Sequence, residues 1–164
     1  MTLSPSETQT FNLYDRDFYL WIEETVRLLH EGRLAEIDVA NLIEEIDDMG
    51  KSQKQAIRSN LIVVLMHLLK YKYQPERRSG SWKYTIREHR RRLIEAFEDS
   101  PSLRNFFAEV FDRCYQNARK EAADETGLLD TFPNESPFTP EQTLDEDFLP
   151  ENGDRPENGW PQGC

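Results

Sequence analysis

Between Val39 and Leu68 the side chains keep a repeat of three and four residues without a break: Val39, Leu42, Ile46, Met49, Gln53, Ile57, Leu61, Val64 and Leu68. Apolar groups at that spacing line one face of an α-helix and fit no strand, whose period is two. The register passes straight through Gly50, where a glycine costs about 1 kcal/mol relative to alanine, a cost that packing can offset. The spacing therefore predicts one long helix from Asp38, a suitable N-cap, to Tyr73, with Pro75 as its stop. Two shorter helices broken at Gly50 are the alternative.

Three further segments carry the same periodicity. The first is expected to start near Asp15 and end at Gly32, with Phe18, Ile22, Val26 and Leu29 facing inward and Trp21 and Leu28 beside them. The third opens at Ser79 or Ser81 and buries Trp82, Ile86, Leu93 and Phe97. Ser100 and Pro101 supply an N-cap and a first-turn proline for the fourth, which presents Leu103, Phe107, Val110, Cys114 and Ala118 and ends at Gly127. No segment alternates as a strand does. The expected fold is all-α, a bundle of about four main helices, one of them long, over residues 14–127 behind a lead of 1–13.

Beyond Gly127 the texture changes. Leu128, Leu129, Phe132, Phe138, Leu144, Phe148 and Leu149 are spaced among Pro133, Pro137, Pro140 and Pro150. A structureless loop of that length is uncommon in a compact domain. Residues 128–150 are expected to form an extended strap on the bundle, with a short helix at Pro140 behind Thr139, and 151–164 a polar tail.

The longest apolar run, Leu61 to Leu69, is interrupted by His67 and falls short of the roughly 20 residues of a membrane span. Met1 to Thr10 lacks the order of a signal peptide. Cys114 and Cys164 make no disulfide framework. These features lead to an expectation of a cytoplasmic protein with no membrane contact and no cofactor.

The net charge of −11 excludes a globally basic nucleic-acid binder, yet the charge is segregated. Residues 1–50 carry 3 basic and 12 acidic side chains, 51–100 carry 12 and 5, and 101–164 carry 5 and 14. In the middle third Lys70, Lys72, Arg77, Arg78, Lys83, Arg87, Arg90, Arg91 and Arg92 are interleaved with Tyr71, Tyr73, Trp82 and Tyr84. Cations beside stackable rings are what a phosphate backbone and exposed bases require. Lys83, Arg87, Arg90 and Arg91 are expected on one face of the third helix, opposite Trp82, Ile86 and Leu93. The same charges could instead pair with the acidic helices, with Glu23, Glu24 and Glu31 among the candidates.

Candidate chemistry is sparse. His30, His67 and His89 fall on three helices, but no Glu-x-x-His or His-x-x-x-His pair accompanies them. His67, inside an apolar run, suits a hydrogen-bonded boundary position better than a metal site. Glu44, Glu45 and Asp48 share a helical face. Such acids hold magnesium in helical nucleotide hydrolases, which need a second acidic pair nearby; here the next twenty or so residues contain none. Cys114 reads as a small core residue. There is no phosphate-binding loop and no nucleophile elbow.

Taken in order, Tyr14–Phe18 with Trp21, Leu42–Lys51 (LIEEIDDMGK), His67–Pro75 (HLLKYKYQP), Gly80–Ile86 (GSWKYTI), Ser100–Leu103 (SPSL), Glu125–Leu128 (ETGL) and Phe138–Pro150 resemble the bacterial, largely cyanobacterial domain of unknown function family twenty-nine. The resemblance implies a stand-alone helical domain and carries no activity or site residue with it. The expected function is a non-enzymatic protein-interaction module with a protein partner or a second copy of itself. Nucleic-acid or polyanion binding through residues 70–92 is the alternative, and a magnesium-dependent nucleotide hydrolase a remote third.

Overall fold

The computed structural model describes residues 13–151. The N-terminal lead, and the polar tail beyond Glu151 with Cys164, lie outside them. The fold is all-α: among the described residues there is no strand. Five helices follow a helical turn at 13–16: α1 (Phe18–His30), α2 (Val39–Tyr73), α3 (Gly80–Asp99), α4 (Leu103–Thr126) and the short α5 (Pro140–Leu144). Short 3-10 turns occupy Leu34–Glu36 and Pro75–Arg77. None of these helices is long and apolar enough to cross a membrane.

The long helix forms as its register predicts. α2 runs 35 residues without interruption through Gly50, about 52 Å at 1.5 Å per residue. A Cβ added at Gly50 would meet nothing within 4 Å, so this glycine serves no close packing. Along α2 the chain divides into two compact units, one ending at Ser52 and the other starting at Gln53.

The second unit holds the large core. Ile57, Leu61, Val64, Leu65, Leu68 and Leu69 from α2 are buried with Ile86, Leu93 and Phe97 from α3 and Phe107, Phe111, Cys114, Tyr115 and Ala118 from α4. The segment after Gly127 adds Phe132 and Phe138 to that core, with Leu128, Leu144, Phe148 and Leu149 packed against it. Phe132 meets Tyr73 edge to face, with ring centres 5.6 Å apart. Gly127 ends α4 in the left-handed region, at φ +71°, which favours glycine. Thr139 and Gln142 close α5 with a reciprocal capping box behind Pro140.

Two helix starts differ from expectation. Asp17, not Asp15, caps α1, its Oδ1 accepting from the Leu20 amide at 3.0 Å. α4 begins at Leu103 because Ser100 and Pro101 are used in a preceding turn, with the Leu103 amide bonded to the Ser100 carbonyl. Of the two serines offered for α3, Ser79 is the cap. Trp82 is only half-buried.

Candidate interaction surface

The largest departure from the sequence reading is in the first unit. α1 buries Trp21, Thr25 and Leu28, and exposes Phe18, Ile22, Val26 and Leu29, the side chains whose spacing marked them as inward-facing. Trp21 is enclosed by rings from its own unit: Tyr14 meets it edge to face at 5.0 Å and Phe18 stacks on it at 5.7 Å. At 100° per residue, Phe18, Ile22 and Leu29 fall within 40° of one another and Val26 lies beside them, so the exposed residues form a strip.

The first half of α2 repeats the pattern. Val39, Ile43, Ile46 and Met49 are 53, 62, 60 and 67% exposed, and Val39, Ile46 and Met49 belong to the register that predicts the long helix. Val39 and Ile57, Ile43 and Leu61, and Ile46 and Val64 are each eighteen residues apart, which is five full turns. One helical face thus carries core-type side chains on either side of a polar gap at Gly50 and Gln53, buried after the gap and uncovered before it. Periodicity identifies an apolar face; it does not identify what covers it.

Thirteen large apolar side chains are exposed among the described residues, and eleven of them lie between Phe18 and Met49. In the same stretch only Trp21, Leu28 and Ile37 are buried apolar groups. Scattered exposed apolar residues are ordinary on a protein surface; this concentration is not.

The acids around the strips are largely occupied locally. Arg27 donates to Glu24 and Glu31, Arg33 to Glu31 and Glu36, and Lys51 pairs with Asp47 and Asp48. The Tyr14 hydroxyl donates to Glu45 Oε1 at 2.6 Å, and that bond, strengthened by the carboxylate's charge, pushes the phenol pKa up to about 12. Glu44 is exposed. Among the described residues no three His, Cys, Asp or Glu side chains are grouped so as to hold a metal ion, and Glu44, Glu45 and Asp48 gather no further ligand.

The basic segment is less of a surface stripe than its spacing suggested. Lys83 and Arg87 are exposed on α3, as is Arg77 on the turn before it. Arg90 is not on that stripe: it is 1% exposed, and its guanidinium donates to the carbonyls of Gln142, Thr143 and Phe148 at 2.8–3.1 Å. The steps Ile86–Arg90–Leu93–Phe97 of four, three and four residues place it on the apolar face, a signal present in the sequence. Burial draws its pKa down to about 10. Arg91 is paired with Glu88 and Glu95 on its own helix, and Arg92 with Glu88. Hydrogen bonds from these two arginines draw the pKa of the Glu88 carboxyl down to about 2. Arg78 lies 4.3 Å over the Tyr71 ring and donates to the Tyr71 carbonyl at 2.7 Å.

One junction in the second unit has no local signal in the sequence. Lys70, 7% exposed, donates to Glu125 Oε2 at 2.5 Å and lies 4.8 Å over the Trp82 ring. Three of the stretches that carry the family resemblance, HLLKYKYQP, GSWKYTI and ETGL, meet there. Only a fold could bring residues 55 positions apart together; no local spacing signals it. His67, half-buried, shares its Nδ1 proton with the Val63 carbonyl at 2.9 Å, and burial lowers its pKa. His89 faces Asn60 Oδ1 at 2.7 Å, and burial lowers its pKa too. Cys114 is buried and its thiol pKa raised by desolvation, which disfavours the reactive thiolate.

A cleft of about 660 Å³ beside α4 is lined by Phe111, Asp112, Tyr115, Gln116, Glu135 and Phe138 among others. It contains neither histidine nor cysteine.

The model of the family described as Domain of unknown function DUF29 matches residues 13–149. No curated protein and no solved structure matches the chain.

Proposed function

The chain belongs to the family described as Domain of unknown function DUF29, and on that premise we propose that it is a non-enzymatic protein-interaction module of the bacterial cytoplasm. The observation that carries this reading is the uncovered core-type face of the first unit: Phe18, Ile22, Val26 and Leu29 on α1 with Val39, Ile43 and Ile46 on α2. Water gains nothing from such side chains, and covering them with another protein is favourable by roughly 25 cal/mol per Å² of apolar surface before the costs of association. A photo-crosslinking amino acid at Ile43 or Ile46 should join the chain to protein in living cells, whereas one at the equally exposed Tyr84 on α3 should not. Equal yields at the three positions would contradict the reading.

Polyanion binding keeps a narrower basis. Tyr84, 66% exposed, lies between the exposed Lys83 and Arg87 in sequence. Labelled nucleic acid that binds tightly at low salt, releases steeply as salt rises, and is lost with Lys83→Ala plus Arg87→Ala would favour this second surface.

A further inference from the structure

Building on the interaction reading, we infer that the face on α1 and the first half of α2 is covered by a second copy of the same face, giving a two-fold interface of four helices.

Three observations favour a second copy over a lone peptide. The first is the balance of packing within the unit. The described part of the unit, residues 13–52, buries three large apolar side chains and exposes eleven. A body of that size rarely builds a sufficient core alone, and association is one of the few ways it acquires one.

The second is area. With about 100–150 Å² for each aliphatic side chain and more for Phe18, half-exposure of the eight side chains of the face, Met49 included, leaves on the order of 500 Å² of apolar surface. That is at the upper end of what an ordinary monomer leaves in one patch. With a polar rim around it, such a patch approaches the ~800 Å² that each partner contributes to a standard stable interface.

The third is the form of the face. Its side chains are divided between two helices, so a single incoming helix would leave part of one strip in water. A partner that itself presents two apolar helices matches it, and a two-fold axis supplies that partner from the same residues. The local ion pairs matter here as well. Glu24, Glu31 and Glu36 are engaged by Arg27 and Arg33, and Asp47 and Asp48 by Lys51, which reduces the like-charge repulsion that pairing an acidic unit with itself would otherwise incur.

An apolar two-fold contact of this kind is strengthened by salt, which screens the residual negative charge. Association of the acidic parts of one copy with Lys83, Arg87 and their neighbours on another would be weakened by salt. The two modes have opposite signs.

The test is sedimentation equilibrium of the full chain from 1 to 200 µM, at 0.05 and 0.5 M salt. The expected result is a monomer–dimer equilibrium whose dimer fraction is maintained or raised at the higher salt. Ile43→Glu with Ile46→Glu should weaken it at least tenfold while leaving helical circular dichroism unchanged, and Tyr84→Glu should leave it as it was. Ile22→Glu alone on α1 is the second variant, should the double substitution lose helix. A wild-type chain that is monomeric throughout, or a dimer that dissolves at 0.5 M salt and ignores both face variants, would overturn the second-copy inference. Crosslinks from Ile43 to a different protein, seen alongside a strict monomer, would overturn the second copy while leaving the interaction module in place. A monomer without position-specific crosslinks removes both.

Discussion

Lys70 Nζ and Glu125 Oε2 are 2.5 Å apart, and the two partners are unequal: the ammonium is buried beneath the ring of Trp82, whereas the carboxylate is half exposed. The cost of breaking the pair therefore depends on which partner is removed. A buried ammonium left without its carboxylate bears the penalty of an unpaired charge, while a carboxylate left alone at this position turns to water.

From that asymmetry, Glu125→Leu should destabilise the chain by about 1–3 kcal/mol, the range for leaving a buried polar group unsatisfied. Lys70→Met, which keeps the stem's packing against Trp82, should cost less. Urea unfolding of both variants decides it; Lys70→Met emerging as the more damaging change would show that the ammonium is not the group that needs its partner.

Arg90 fastens the chain around α5 to α3 through three carbonyls. Arg90→Met should cost about 2–4 kcal/mol, from hydrogen bonds worth about 1.5–3 kcal/mol each when one partner is charged, less what repacking recovers. Arg90→Lys should not rescue it, because an ammonium cannot reproduce the planar fork that addresses three acceptors. Limited proteolysis should then cut between Gly127 and Pro150 sooner than in the wild type. Unchanged protease resistance in Arg90→Met would contradict the clamp.

Two glycines should respond with opposite signs. Gly50 lies mid-helix with open space around its Cβ position, so Gly50→Ala should stabilise by about 0.5–1 kcal/mol. Gly127 has the same open space but a φ of +71°, so Gly127→Ala should destabilise by about 1–2 kcal/mol. Thermal melts of the two variants provide the check.

Legibility differed along the chain for physical reasons. The continuity of α2, the Gly127 stop and the capping of α5 by Thr139 are local matters, set by spacing, backbone freedom and hydrogen bonds within a few residues. The apolar faces of Phe18, Ile22, Val26 and Leu29 and of Val39, Ile46 and Met49 were equally plain, but spacing does not say whether the partner surface belongs to the same chain. Arg90 carries two conflicting signals, its charge and its register between Ile86 and Leu93, and the fold follows the register. The Lys70–Glu125 junction is a long-range contact that only packing creates.

His67 supplies a pH test. Burial holds its folded-state pKa below the ordinary value of about 6.5. Lys70 lowers it further and Glu125 opposes this. Below about pH 6.5 the unfolded chain takes up a proton that the folded chain resists, so the neutral imidazole's contribution is complete above that pH and is lost as the solution is acidified. The stability difference between wild type and His67→Gln, followed from pH 8 to 5, should shift in favour of the variant on the acid side. A difference independent of pH would place the titration of His67 outside the folding equilibrium.

The central question is whether the face on α1 and the first half of α2 is covered in solution. Hydroxyl-radical footprinting of the full chain at 1 and at 200 µM addresses it directly, since Met49 and Tyr84 are almost equally exposed, at 67 and 66%, in the isolated chain. The prediction is that Phe18, Ile46 and Met49 become protected at the higher concentration while Tyr84 stays as reactive as before. Equal reactivity of all four at both concentrations would contradict a second copy on this face.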